Sequence, residues 1–249
     1  MKCLQMNDYS KFEIEEQALA DFFGKGNYIP FFKKHLKKGK LKITKNDFIA
    51  GEIDTMFTAM KQLGIEYKYN DYPKCLHKYL HRKIWERSIK DIKEELFDKC
   101  MINPVFIKPK EKLKKFTGFV IESIDDLNKI NNGGDNTKII CSEPVNFVSE
   151  YRCPVINGEI KDFCYYSGDS NTKIDKAVVQ EMVKDFLNSP KAYCIDVGVL
   201  STGETTLIEV NDAFSIGMYS MSKELYAEIL MTRWNELKGY KCNNGSNIK

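Results

Sequence analysis

The sequence predicts an α+β protein, with a small α/β lobe at the N-terminus and a larger lobe built on antiparallel hairpins. Three observations predict this class. A strand–helix–strand pattern occupies residues 48–69, strand-like runs dominate after Pro104, and two hairpin turn signals lie among those runs. We expect residues 1–100 to form the N-terminal lobe with a helical linker, residues 101–240 the second lobe, and residues 241–249 a disordered tail.

The composition is that of a globular chain that needs no staples. A chain of 249 residues buries roughly 70–75% of its unfolded surface. The 38 Lys and Arg exceed the 35 Asp and Glu by only three charges, which argues against a dedicated nucleic-acid binder. No signal peptide or membrane span is visible, so we expect a cytoplasmic protein. The eight cysteines form no C-x-x-C pair, which makes a zinc site improbable and indicates reduced core residues.

In the first half of the chain, hydrophobic periodicity predicts mainly helices with a few short strands. The run Lys33–Lys42 is rich in lysine and reads either as a patch for an anionic partner or as a solvated helix end. The predicted elements are a helix at 11–24, a strand at 48–51, a helix at 52–63, a strand at 65–69 and a mostly helical stretch at 76–99.

In the second half, short β-like runs alternate with helices. The predicted strands are 104–108, 117–122, 138–142, 147–156, 159–167, 192–200 and 205–211, and the predicted helices are 124–131, 174–188 and 221–237.

The last predicted hairpin places three oxygen-bearing side chains together. If its loop is Thr202-Gly203, Asp196 lies directly opposite Glu209, and Asn211 points to the same face. Two carboxylates across a ladder repel each other, so something must compensate them. A divalent cation does this, and Asp, Glu and Asn oxygens are ligands that Mg²⁺ prefers. The alternative is a solvent-facing acidic pair.

A second hairpin turns at Asn157-Gly158, a strong type I′ signal. This register puts charged and aromatic side chains on one face, which reads either as an exposed sheet surface or as the wall of a cleft for an anionic ligand. The residues predicted to share that face are Glu150, Arg152, Lys161, Phe163 and Tyr165.

A lysine ends the apolar run Val105-Phe106-Ile107-Lys108, and a lysine-rich loop with Thr117-Gly118 follows. Lysines in this arrangement suit phosphate oxygens, although lysines are also common on edge strands. The P-loop, G-x-G-x-x-G, H-E-x-x-H and G-x-S-x-G patterns are absent, which removes the common nucleotide, dinucleotide, zinc-protease and serine-hydrolase interpretations.

Together these features resemble the ATP-grasp superfamily of ATP-dependent ligases, over about residues 100–237, and most closely its small bacterial and phage members. The resemblance implies two antiparallel lobes with the nucleotide in the cleft between them. The segments that carry it are Phe106-Ile-Lys-Pro109, Lys115-Phe-Thr-Gly118, Ser142-Glu-Pro-Val145, Ser149-Glu-Tyr-Arg152, Asp196-Val-Gly198 and Ile208-Glu-Val-Asn211.

The resemblance also implies roles for single residues. Lys108 contacts the α- and β-phosphates, Lys115 reaches phosphate from a loop, and Arg152 meets the γ-phosphate or an acylphosphate, so that Lys108 and Arg152 are the catalytic contacts. The remaining implied roles are Glu143 and a backbone group of Val145 at adenine, Glu150 at ribose, Arg82 at nucleotide or substrate, and Asp196, Glu209 and Asn211 at magnesium.

The implied activity is ligation of a carboxylate to an amine or similar nucleophile through an acylphosphate, with release of ADP and phosphate. ATP and Mg²⁺ are the implied cofactors, and the partner is a small molecule, a peptide or a protein end that carries a carboxylate. The loop 212–217, with Ser215, is where such enzymes approach the acceptor carboxylate, or it is a plain loop. The alternatives are a non-catalytic nucleotide-binding or interaction module and a phosphotransferase that uses the same Mg-ATP cleft.

Overall fold

The computed structural model describes residues 1–68, 70–98, 103–110, 116–130 and 133–239. The chain divides into two compact units: residues 1–77 with the chain from 148 onwards, and residues 78–147. The second unit therefore includes the described residues 78–98, which the sequence assigned to the N-terminal lobe with its helical linker. The tail predicted to be disordered, residues 241–249, lies outside the described residues.

The first unit begins with a three-stranded parallel sheet in the order β2-β1-β3. The central strand buries Cys3 and Leu4 completely. The predicted strand at 48–51 and helix at 52–63 are confirmed, but residues 65–68 form no strand. The elements are β1 (Lys2–Met6), α1 (Ile14–Phe23), β2 (Ile29–Phe32), α2 (Lys33–Lys37), β3 (Phe48–Ala50) and α3 (Ile53–Gln62).

The first unit also contains a larger sheet, in the order β10-β8-β11-β12 with β9 paired to β8. The pairs β8–β10 and β11–β12 are antiparallel, as predicted. The elements are β8 (Phe147–Ile156), β9 (Glu159–Ile160), β10 (Cys164–Gly168), α5 (Lys176–Asp185), β11 (Ala192–Leu200), β12 (Thr205–Asp212) and α6 (Lys223–Leu237).

One buried hydrophobic cluster contains residues from both sheets of the first unit. Leu4 and Ile49 from the parallel sheet belong to the same buried cluster as Phe214 and Trp234. The indole of Trp234 donates to the carbonyl of Asp47 at 2.9 Å, which ties α6 to the loop before β3. The N-terminal sheet is therefore packed into the same core as the C-terminal helix.

Burial raises the pKa of the Glu16 carboxyl on α1. Burial in the first place, and then the negative charges of Glu15, Glu13 and Glu52, raise the pKa of this carboxyl to about 7. The folded chain thus holds the proton more tightly than the unfolded chain, where the group titrates near 4.5. Its contribution to stability is present below pH 4.5 and is lost as the pH rises through 7.

We therefore expect Glu16→Gln, which mimics the protonated carboxyl, to stabilise the protein on the order of 2 kcal/mol at pH 8 and clearly less at pH 5.5. Urea unfolding of both proteins at the two pH values measures this difference. An equal difference at both pH values, or destabilisation at pH 8, would contradict the account.

In its described residues, the second unit is a four-stranded antiparallel sheet in the order β4-β7-β5-β6, covered by the helix Ile89–Phe97. Its core is a separate cluster that includes Ile89, Ile92, Ile107 and Ile139. The elements are a 3₁₀ helix (Lys74–Tyr79) that leads into it, β4 (Ile84–Ser88), α4 (Ile89–Phe97), β5 (Val105–Pro109), β6 (Phe119–Ile121), a 3₁₀ helix (Ile124–Lys129) and β7 (Lys138–Ser142).

The predicted helix at 76–99 is wrong in its first half, because a strand occupies Ile84–Ser88. Ser88 ends this strand and starts α4 with a capping box: Ser88 Oγ accepts from the Asp91 N–H at 3.2 Å, and Asp91 Oδ2 accepts from the Ser88 N–H at 2.7 Å. This reciprocal pair satisfies two donors at the helix start and fixes the boundary there.

Two further predictions concern cysteines and membranes. None of the six described cysteines is in a disulfide, and five of them are buried, as expected for small core residues. Within the described part of the chain, no helix combines the length and the apolar character needed to cross a bilayer.

Candidate functional site

The hairpin of β11 and β12 pairs Asp196 with Glu209, as the sequence predicted. The reason differs from the prediction. The loop has three residues, since Leu200 N–H donates to Glu204 O at 2.9 Å and Gly203 adopts φ +90°. This loop shifts the ladder by one residue near the turn, and a bulge between Asp196 and Val197 shifts it back. The predicted two-residue loop is therefore wrong, while the predicted pair is right.

Asp196, Glu209 and Asn211 form one hydrogen-bonded group. Asn211 Nδ2 donates to Asp196 Oδ2 at 2.9 Å and to Glu209 Oε1 at 3.0 Å. Asp196 is 3% exposed and Asn211 7%, whereas Glu209 is half-buried. The structure therefore brings all three predicted magnesium ligands together, with one amide nitrogen placed between two carboxylates.

Arg152 on β8 joins this group through the buried carboxylate. Arg152 Nε donates to Asp196 Oδ1 at 2.9 Å and Arg152 Nη2 to Asp196 Oδ2 at 2.7 Å, which is a bidentate fork. Burial alone lowers the pKa of the Arg152 guanidinium, but the hydrogen bonds and charge of Asp196 outweigh it and raise the pKa. The hydrogen bonds and charge of Asp196 thus keep the guanidinium protonated in the interior.

The fork changes the charge argument made from the sequence. The guanidinium of Arg152 offsets one of the two carboxylates that a cation was expected to compensate. Arg152, Asp196 and Glu209 together still carry one net negative charge, and Glu209 Oε1 accepts from Asn211 Nδ2 at 3.0 Å.

Two N–H groups of the Arg152 guanidinium have no acceptor among the described residues. The guanidinium has five N–H groups, and three of them bond to Asp196 and to Gly217 O, the latter from Nη1 at 3.1 Å. Within the described residues, no further acceptor takes the remaining N–H on Nη1 or on Nη2. Guanidinium N–H groups are donors that suit the oxygens of a phosphate or carboxylate.

Glu150 lies two residues before Arg152 on the same strand face. Its Oε2 accepts from the Tyr166 hydroxyl at 2.9 Å. The ring of Tyr166 stacks on that of Tyr219 with centroids 4.7 Å apart and an interplanar angle of 15°. The Arg152 guanidinium lies over the same Tyr219 ring, 4.5 Å from its centroid. Glu150 and Arg152 are thus connected through two aromatic rings.

The predicted face assignment of the second hairpin is wrong beyond its turn. Asn157 and Gly158 have φ +53° and +80°, which confirms the type I′ turn. Cys164 pairs with Arg152 and Tyr165 with Tyr151, however, one residue out of the predicted register. The cause is Pro154, which has no N–H to donate.

Lys161 N–H donates to Pro154 O at 2.8 Å, but the return bond of this pair cannot form and the ladder is interrupted there. A one-residue slip turns every following side chain to the other face. Tyr166 therefore takes the place beside Glu150 that the sequence assigned to Tyr165.

Lys108, in the second unit, is half-buried on β5 opposite Ile140. A Cβ on Gly118 would lie 2.7 Å from the Phe106 ring and 3.1 Å from Lys108 Cβ, so only glycine allows the chain to approach this closely. Gly118 therefore packs directly against Phe106 and Lys108. Lys115, predicted to reach phosphate, lies outside the described residues.

Glu143 and Val145 lie in the segment that follows β7. Glu143 exchanges two bonds with the backbone of Lys83: its N–H donates to Lys83 O at 3.1 Å, and its Oε2 accepts from Lys83 N–H at 2.9 Å. Arg82 donates to Leu80 O at 3.0 Å and lies 5.8 Å from the Phe147 ring centroid. Glu143 thus fixes this segment, and Val145 is half-buried within it.

The donor set fits magnesium in its chemistry. No cluster of three or more His, Cys, Asp or Glu side chains suited to a metal occurs among the described residues, and the candidate group has two carboxylates and one amide. Those two carboxylates converge on one point, the Asn211 amide, and the group has a net negative charge. Hard oxygen ligands with excess negative charge are what Mg²⁺ prefers.

Sequence reasoning missed Tyr166, Tyr219 and Glu15. Glu15 Oε1 accepts from Met218 N–H at 3.3 Å, next to the carbonyl that receives Arg152. The one usable signal was Pro154 within a strand, which predicts an interruption of the ladder. The loop 212–217 is held by two contacts with neighbouring elements. Tyr226 OH on α6 donates to Ile216 O at 2.9 Å, and Ser215 Oγ lies 3.5 Å from Gly51 O, just after β3.

Comparison with known proteins gives a family match and similar folds. The family described as ATP-grasp domain, R2K clade family 2 matches residues 79–229, more than half of the chain. No functionally curated protein matches the sequence.

Among solved structures, D-alanine–D-alanine ligase from Bacillus anthracis in complex with ATP is 16% identical with a TM-score of 0.56, covering 96% of this chain and 99% of that chain. Another structure of that ligase from the same organism is 15% identical with a TM-score of 0.54, covering 94% and 98%. These likenesses confirm the predicted fold.

Proposed function

Because this chain belongs to the R2K clade family 2 of ATP-grasp domains, we propose that it is an ATP-dependent ligase that joins a carboxylate to an amine or similar nucleophile through an acylphosphate. The observation that carries the proposal is the group formed by Asp196, Glu209, Asn211 and Arg152. It combines oxygen ligands for a cation with free donors for an anion on neighbouring strands.

Asp196, Glu209 and Asn211 would hold magnesium. The ion, when bound, neutralises phosphate oxygens and stabilises the charge that develops on them during transfer. The chain itself supplies the rigid frame for these side chains, because the bulge next to Asp196 sets the register and the Asn211 amide keeps both carboxylates at hydrogen-bond distance.

Arg152 would bind the transferred phosphoryl group with its two remaining N–H donors. A carboxylate is a poor electrophile, because its leaving group would be an oxide, and phosphorylation supplies a good leaving group. The protein needs no covalent nucleophile for this step; it needs to position the reactants and to neutralise their charge. A guanidinium held by a buried carboxylate and a carbonyl is already oriented before the phosphate arrives.

The remaining proposed contacts concern the nucleotide and follow the family. Lys108 would contact the α- and β-phosphates, and Lys115 would add a second ammonium. Glu150 would bind the ribose with the carboxylate oxygen that Tyr166 does not occupy. Val145 would meet adenine through its backbone, in a segment held by Glu143, and Arg82 would serve nucleotide or substrate.

The experiment that tests the proposal is a product analysis. The protein is incubated with Mg-ATP and with amino acids, peptides and polyamines supplied in pairs of carboxylate and amine, and ADP, AMP and phosphate are measured. We expect substrate-stimulated release of ADP and phosphate with formation of an amide. A stable phosphoester would show a phosphotransferase, AMP would show an adenylating enzyme, and binding of ATP without turnover would show a non-catalytic module; each contradicts the ligase proposal.

A further inference from the structure

Tyr219 holds a backbone conformation that tyrosine rarely adopts. Its φ is +47°, in the left-handed region that favours glycine, and the residue is 52% exposed. Hydrophobic burial therefore does not explain why this residue is here. A bulky residue in this region is strained, and strain of this kind persists only where surrounding contacts impose it.

Contacts on both sides of Tyr219 impose the conformation. Before it, Gly217 O accepts from Arg152 Nη1 and Met218 N–H donates to Glu15 Oε1 at 3.3 Å. After it, Ser220 Oγ donates to Tyr165 O at 3.2 Å, and Met221 N–H donates to Met218 O at 3.0 Å. The chain is thus held on each side of residue 219, and the left-handed turn brings the ring over Arg152.

The ring constrains the one degree of freedom that the hydrogen bonds leave to Arg152. The fork to Asp196 and the bond to Gly217 O fix the guanidinium within its own plane. The Tyr219 ring, 4.5 Å away, limits the tilt of that plane. The stack with Tyr166, whose hydroxyl is held by Glu150, keeps the Tyr219 ring itself in place.

We propose that Tyr219 is a positioning residue that orients the Arg152 guanidinium toward the terminal phosphoryl group. This inference rests on the proposed function, in which Arg152 binds that group. Asp196 would serve Arg152 and the proposed cation site at once, and a bound cation would compete with the guanidinium for the carboxylate oxygens. The ring of Tyr219 restrains the tilt of the guanidinium plane, and this restraint does not depend on Asp196.

The test compares a triphosphate with a diphosphate. Calorimetry measures the affinities of Mg·AMP-PNP and Mg·ADP for the wild type, Tyr219→Phe and Tyr219→Gly. Phenylalanine keeps the stack, whereas glycine removes the ring and also relieves the strained φ, so loss of folding is not expected. Tyr9→Gly is the control, because Tyr9 is also a surface tyrosine, 84% exposed.

We expect Tyr219→Gly to lower the AMP-PNP affinity about fivefold or more and to leave the ADP affinity within about twofold. Tyr219→Phe and Tyr9→Gly should keep the wild-type preference. An equal loss for both nucleotides, no loss, or the same loss in Tyr219→Phe would overturn the positioning role. If the wild type binds neither nucleotide, the proposed function itself fails, and that result is distinct from any difference between variants.

Discussion

Glu209→Gln lowers ATP turnover at least ~100-fold while the protein stays folded, if the proposed cation site is correct. Glutamine has the same shape, and its Oε1 can still accept from Asn211 Nδ2, so the hydrogen bond measured at 3.0 Å can survive. The substitution removes the negative charge, and a neutral amide is a much weaker ligand for Mg²⁺ than a carboxylate. Glu209 is half-buried, so the substitution does not place an amide deep in the core.

The measurement is the rate of ADP release under saturating Mg-ATP, with the unfolding midpoint recorded for each protein. Glu204→Gln is the matched control, since Glu204 is an exposed carboxylate in the loop of the same hairpin. We expect it to keep turnover within about twofold. Turnover close to wild type in Glu209→Gln would remove Glu209 from the cation site.

Asp196→Ala destabilises the protein by about 3–5 kcal/mol, because it leaves the Arg152 guanidinium buried without its carboxylate. Arg152 is 6% exposed and both of its bonds in the fork go to Asp196. For a chain of this size such a loss lowers the unfolding temperature by roughly 10 °C. Differential scanning calorimetry measures the change directly.

The controls distinguish the cost of leaving a buried charge unpaired from the cost of removing any carboxylate. Glu159→Ala breaks the exposed pair with Lys161 and is expected to cost less than about 1 kcal/mol. The double variant Arg152→Met with Asp196→Leu replaces both charges by apolar groups and should recover most of the loss. A double variant as unstable as Asp196→Ala, or an Asp196→Ala protein as stable as Glu159→Ala, would show that the fork is not the buried ion pair described.

The pairing of Asp196 with Glu209 was predicted correctly because the effects of the longer loop and of the bulge on the register cancel. Asp196 faces Glu209 in the structure, yet the loop is one residue longer than expected and the bulge next to Asp196 corrects the register. A pattern of alternating side chains reports the faces of each strand away from the turn, and this pattern was sound on both strands. The alternation does not show where a longer loop or a bulge shifts the pairing of the two strands by one residue.

The contacts that complete the group were not accessible from local patterns. Arg152 and Asp196 lie 44 residues apart on different hairpins, and only the order of strands in the sheet brings them together. Tyr219 reaches Arg152 through a turn in which residue 219 itself has a positive φ. A tyrosine at that position gives no sequence signal for such a turn. The strand at Ile84–Ser88 was not predicted, because the hydrophobic spacing on either side of it is helical. The capping-box pair Ser88 and Asp91 was nevertheless a sequence signal for the start of α4.

The most direct test of the account is the magnesium dependence of nucleotide binding. AMP-PNP is titrated into the wild type and into Glu209→Gln, with Mg²⁺ and with a chelator. The account predicts that Mg²⁺ raises the affinity of the wild type at least ~10-fold and that Glu209→Gln loses this enhancement. Equal affinity with and without Mg²⁺ in the wild type, or an undiminished enhancement in Glu209→Gln, would contradict it.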